Sequence, residues 1–120
     1  MPPIDVEAIQ KRLAQFAAER DWDQFHSPKN LSMALAGEAG ELVEIFQWLT
    51  EEQSKRIADP STQQAVADEL ADITIYVLRL ADKLGIDLEA AIKQKIEANA
   101  KKYPIDQSLG NATKYNKRGG

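Results

Sequence analysis

Apolar residues recur along this chain at three- and four-residue intervals, the spacing of one face of a helix. Val6, Ile9, Leu13, Phe16 and Ala17 begin the pattern, and Asp5 stands ahead of them as a cap, so a first helix runs to about residue 20. After a polar connection, a second helix covers roughly residues 31–49, with Ser27 or Asn30 as its cap; Pro28 disfavours helix in the residue before it. Thr50-Glu51-Glu52 opens a short helix through Ile57, which Asp59-Pro60-Ser61 breaks. Ser61 or Thr62 then caps a long helix over about 62–84, with Val66, Leu70, Ile73, Val77, Leu80, Ala81 and Leu84 on one stripe. Ile75, Tyr76 and Leu78 make that stripe wider than one packed neighbour would cover, which points to burial against a second subunit. Gly85 closes the helix, and Asp87 caps a last one over about 88–102. Beyond Tyr103-Pro104 the chain turns polar and Gly-rich. No stretch alternates as a strand would. The expected fold is all-α, with one domain over 1–105 and a flexible polar tail over 106–120.

The second helix carries a further pattern. In Gly37-Glu38-Ala39-Gly40-Glu41-Leu42-Val43-Glu44-Ile45-Phe46, carboxylates recur every third residue beside the apolar set. At about 100° per residue, Glu38 and Glu41 fall nearly on one line, with Glu44 a little further round. The long helix repeats the device with Glu69 and Asp72. Neither Glu38 nor Glu41 has a lysine or arginine at the spacings that pair charges on a surface helix. Gathering like charges costs free energy unless a cation or shared protons compensate. Two readings stay open on the residues alone: a solvated acidic face on each helix, or two helices converging on a divalent cation.

Composition narrows the chemistry. The 120 residues make one small domain with a modest core, and there is no cysteine for a disulfide or a thiolate zinc site. His26 is the single histidine, so a metal here would take oxygen ligands. Carboxylates without soft ligands suit Mg²⁺, octahedral and partly hydrated, with Mn²⁺ as a substitute. Such an ion works on phosphates by neutralising charge, orienting them and lowering the pKa of bound water. There is no G-x-x-x-x-G-K loop, so a P-loop mechanism is excluded. The last helix instead offers Lys95, Lys101 and Lys102, and Lys95 and Asn99 interrupt its apolar side. Trp22, Trp48 and Tyr76 are candidate stacking surfaces, though a tryptophan in a short loop also serves as a lid on a core. A net charge of −4 argues against a general nucleic-acid binder. No apolar run has the length of a membrane span and the N-terminus lacks a signal pattern, so a soluble, cytoplasmic protein is expected. Magnesium, cations and aromatics together describe a nucleoside triphosphate site.

These residues resemble a known family. Glu38-x-x-Glu41 followed by Glu69-x-x-Asp72 is similar to the paired acidic motif of the all-α nucleoside triphosphate pyrophosphohydrolases, the MazG-like superfamily that includes dimeric dUTPases. The likeness is greatest to its dCTP pyrophosphatase branch, through Trp22-Asp23-Gln24-Phe25-His26, Phe46-Gln47-Trp48, Tyr76, Lys95, Asn99 and Lys102-Tyr103-Pro104. It covers roughly residues 10–115. The resemblance implies cleavage between the α- and β-phosphates to a monophosphate and pyrophosphate, in the service of nucleotide-pool sanitation. It implies Mg²⁺ held by Glu38, Glu41, Glu69 and Asp72, with Glu41 or Glu38 helping to deprotonate water and Glu44 a lesser helper. Trp22, Asp23, Gln24, Phe25, His26, Trp48 and Tyr76 would enclose base and sugar. Lys95, Asn99 and Lys102 would meet the phosphates, from this or a neighbouring subunit. The implied architecture is a bundle of four to five helices completed by dimerisation, in this branch a dimer of dimers. Some close relatives carry a histidine in the first helix where this chain has Leu13, which leaves the exact base open among dCTP, a modified dCTP, dUTP and other non-standard triphosphates. The competing class is a helical oligomer with a structural or binding role, its acidic faces solvated and its aromatics in the core.

Overall fold

A computed structural model describes residues 2–110. Among them all regular structure is helical: α1 (Val6–Glu19), a 3-10 turn (Asp23–Phe25), α2 (Pro28–Phe46), α3 (Glu51–Ser54), α4 (Pro60–Lys83), α5 (Leu88–Lys102) and α6 (Ile105–Ser108). They fall into two compact units that divide between Ile86 and Asp87.

Each long helix begins on a side chain that satisfies an orphan backbone N–H. Asp5 accepts from Ala8 N at the head of α1, Ser27 from Asn30 N at α2, Asp59 from Thr62 N at α4, and Asp87 from Ala90 N at α5. Two of these starts correct the sequence expectation. The second helix begins at Pro28 rather than near residue 31, and the fourth at Pro60, capped by Asp59 rather than by Ser61 or Thr62. The reason is common to both: proline occupies the first helical position, where no N–H is needed and φ is already helical. The second helix also stops earlier than expected, at Phe46, which places Trp48 beyond its end. Thr50 and Gln53 form a reciprocal capping box on α3, which ends at Ser54 rather than Ile57. Gly85, at φ +66°, takes the left-handed turn after α4 that a side chain would resist. Residues 105–108, expected to lie around the start of the polar tail, form α6; Asn111, Lys114, Lys117 and Arg118 of that tail lie outside the described residues.

In the first unit α2 packs chiefly on α4, and α1 also lies on α4. Ala17, Leu31, Leu78 and Ala81 are the buried hydrophobic residues, and Gln10 Nε2 donates to the Leu78 carbonyl at 2.9 Å, tying α1 to α4. Leu78, which sequence spacing placed at the margin of the α4 stripe, is deeply buried, whereas Leu70 and Leu84 on the stripe are half exposed. Met33 and Val43 on α2 are likewise more than half exposed. Among the described residues, no helix is long and apolar enough to cross a membrane.

Candidate active site

The packing of α2 on α4 sets two acidic segments side by side. Glu38 and Glu41 from α2 and Glu69 from α4 each offer a carboxylate oxygen to a group whose members lie within 4.8 Å of one another. Glu38 and Glu69 are half-buried and Glu41 is exposed, so the group opens to solvent on one side. The Oε2 atoms of Glu38 and Glu69 are buried and no hydrogen-bond donor reaches either. A buried carboxylate oxygen without a donor is costly. Either a shared proton or a cation meets that cost.

The proton affinity of Glu69 records the strain. Its carboxyl is pushed up from 4.5 to about 7, first by the hydrogen bond it can form with Glu38 once protonated, then by burial, then by Glu41. None of the three glutamates is in an ion pair among the described residues. All-oxygen donors with two orphaned atoms and an open side fit a hard, partly hydrated divalent ion. Asp72, three residues along α4 and half-buried, stays outside the 4.8 Å group. Its side chain is one methylene shorter than a glutamate's.

The residues expected to meet the base divide in two. Trp22 is 45% exposed and Phe25 59%, while Trp22 also packs edge-on against Phe16 with ring centroids 5.7 Å apart. Trp48 is 86% exposed, which excludes a core role within this chain. Tyr76 is half-buried on α4. The polar residues of the same segment, by contrast, are bonded to other groups of the protein. Gln24 Nε2 donates to Asp21, and Asp23 and His26 are both bound to Arg79. Lys95 and Asn99 are exposed on α5 and Lys102 is half-buried there, in the second unit.

Arg79 is the feature that sequence reading passed over. Its guanidinium lies almost wholly buried on α4, 5% exposed, with Nη2 donating to Asp23 Oδ1 at 2.6 Å and Nε to His26 Nδ1 at 3.2 Å. Asp82 Oδ2 lies 3.7 Å from Nη1, and Lys83 Nζ donates to Asp23 Oδ1. Bonding to Lys83, and the charges of Lys83 and Arg79, hold the Asp23 carboxyl below the usual range. Burial, then Arg79 and Lys83, pushes His26 down, which keeps the imidazole neutral and Nδ1 an acceptor. The available signal was an arginine set among Leu78, Leu80 and Ala81, where a charge needs a reason.

The chain has clear likenesses among known proteins. The model of the MazG-like family matches residues 34–117. The dCTP pyrophosphatase 1 of Rattus norvegicus is 44% identical over 115 residues, which is 95% of this chain and 68% of that protein. The dCTP pyrophosphatase 1 of Homo sapiens is 42% identical over the same length and the same shares. Among solved structures, a pyrophosphatase from Archaeoglobus fulgidus superposes with a TM-score of 0.77 at 35% identity, covering 87% of this chain and 96% of the other.

Proposed function

This chain belongs to the MazG-like family and is a nucleoside triphosphate pyrophosphohydrolase, and from that premise we propose that its substrate is a deoxynucleoside triphosphate, dCTP or a modified dCTP in preference, cleaved with Mg²⁺ to the monophosphate and pyrophosphate. The observation that carries the metal-dependent reading is the group formed by Glu38, Glu41 and Glu69, with its two donorless oxygens. The preference for dCTP rests on the relatives named for that substrate.

In this reading Glu38, Glu41 and Glu69 hold the ion and Asp72 completes the set from the next turn of α4. Mg²⁺, when bound, supplies charge neutralisation, phosphate orientation and water activation. Water attacks at the α–β linkage, the bond to the bridging oxygen breaks, and pyrophosphate leaves. Glu41, the exposed member, or Glu38 beside it takes the proton that the water gives up; Glu44 is a lesser helper. Trp22, Phe25, Trp48 and Tyr76 enclose base and sugar, while Asp23, Gln24 and His26 set the shape of that wall through their internal bonds. Lys95, Asn99 and Lys102 of α5 are the proposed partners of the phosphate chain. The exposed apolar residues Met33, Val43, Leu70 and Leu84 support a homodimer or homotetramer. The role is sanitation of the nucleotide pool.

The test is a panel of common and modified nucleoside triphosphates with Mg²⁺, with pyrophosphate release resolved from single-phosphate release. dCTP or a modified dCTP should give the highest kcat/KM, with pyrophosphate as co-product. Preference for dUTP would overturn the base assignment. Release of single phosphates would overturn the cleavage site.

A further inference from the structure

Arg79 makes its polar contacts with a segment that also carries two exposed aromatic rings. We propose that Arg79 is a positioning residue for the nucleotide: it fixes the segment from Trp22 to His26 on α4, so that Trp22 and Phe25 stand where a base can stack. This rests on the function proposed above and adds to it a residue that itself touches no substrate.

Burying a guanidinium is expensive unless its donors are met. Here the acceptors come from Asp23 and His26 of one short segment, with Asp82 of the same helix at 3.7 Å. Asp23 opens the 3-10 turn and His26 closes it, so both ends of Asp23–Phe25 are pinned to one side chain. Between the pins, Phe25 is left 59% exposed, and Trp22, just before them, 45%. The segment is entered through Asp21 at φ +55°, a left-handed conformation that costs energy for a side-chain-bearing residue and persists only where its surroundings hold it. The anchor itself is buried, while the segment it holds, Asp23 included, stays open to solvent with its two rings.

Register along α4 links the clamp to the acidic group. Asp72, Tyr76, Arg79 and Lys83 follow one another at spacings of four, three and four residues, one face of a helix. From Asp72 to Arg79 the rise is about 10 Å at 1.5 Å per residue. One rigid helix therefore carries the acidic residues at one level and the anchor of the aromatic segment about two turns further on. Phosphates and base can be held at a fixed separation without a moving part.

Lysine would not substitute fully, because its single ammonium cannot reproduce the fork that meets a carboxylate and an imidazole in one plane. Neutral His26 is part of the device, since Nδ1 accepts from Arg79 Nε only when unprotonated.

The experiment compares Arg79→Gln and Asp23→Asn with the wild type by steady-state kinetics on dCTP with Mg²⁺ and by amide hydrogen exchange. Both variants should raise KM by at least about tenfold while kcat at saturation falls less than about threefold, the pattern of lost ground-state placement. Exchange should quicken at the amides of Trp22, Phe25 and His26 while those of α2 are unchanged. Asp23 is more than half exposed, so Asp23→Asn decides the matter alone if Arg79→Gln fails to fold. Unchanged KM in folded variants, or a fall in kcat with KM intact, would overturn the positioning role while leaving dCTP hydrolysis by the wild type standing. A wild type that turns over no nucleoside triphosphate would overturn the functional reading itself.

Discussion

Glu38 on α2 and Glu69 on α4 each bury one carboxylate oxygen beside the other, and the protein provides a hydrogen-bond donor to neither. Two like-charged groups are thus held together by the packing of their helices, against their own repulsion. A shared proton or a bound cation relieves the pair.

That arrangement fixes a pH dependence. An unfolded Glu69 loses its proton near 4.5, whereas the folded one keeps it to about 7. Below both values the group is neutral in either state and carries no penalty. Between them the folded state binds more protons, so stability without a cation declines as pH rises through this window, and the loss is complete above it. A divalent ion needs the ionised carboxylate, so the Mg²⁺-induced rise in Tm should be small at about pH 5.5 and large at about pH 8. Thermal melts with and without Mg²⁺ across that range check it. A rise independent of pH would place the ion elsewhere.

Glu41→Gln removes one charge and no volume. Glu41 is exposed and its charge adds to the crowding of Glu69, so without Mg²⁺ the variant should fold with a Tm no lower than that of the wild type. Turnover should fall by at least about 100-fold, since even outer partners of metal ligands cost up to that much. Retained activity with Mg²⁺ would return the acidic line to the status of a solvated surface.

Trp48→Ala probes the base. At 86% exposure the ring supports nothing in this chain, and its loss should change stability by no more than about 0.5 kcal/mol. KM for the preferred triphosphate should rise more than kcat falls if the ring stacks on bound substrate. Kinetics and a melt on the same preparation separate the two effects. A large loss of stability with KM unchanged would assign Trp48 to packing between subunits.

Leu31→Ala tests the scaffold beneath the site. Among the described residues Leu31 is the largest fully buried side chain, in the first turn of the helix that carries Glu38 and Glu41. Truncation should cost about 2–5 kcal/mol. Chemical denaturation gives the number directly. A cost well below that range would mean that the head of α2 can collapse around the gap.

Much of this was legible along the chain. The 3.6-residue period of apolar positions gave all-α structure, and Asp5 and Asp87 marked helix starts that the fold uses. The pairs Glu38/Glu41 and Glu69/Asp72 suggested a shared ion; the structure brings Glu38, Glu41 and Glu69 together and leaves Asp72 outside the group. Pro28 and Pro60 misled, because the same residue that breaks a helix from within begins one comfortably at its first position.

What a sequence determines by itself is what depends on near neighbours: helical period, caps and the charge along one face follow from residues three or four apart. Which carboxylates share a point in space, and that Asp23 and His26 turn inward to Arg79 more than fifty residues away, was decided only by α1 and α2 closing on α4. Burial assigns those roles, because a charge or a lone pair removed from water must find its partner wherever the chain has brought one.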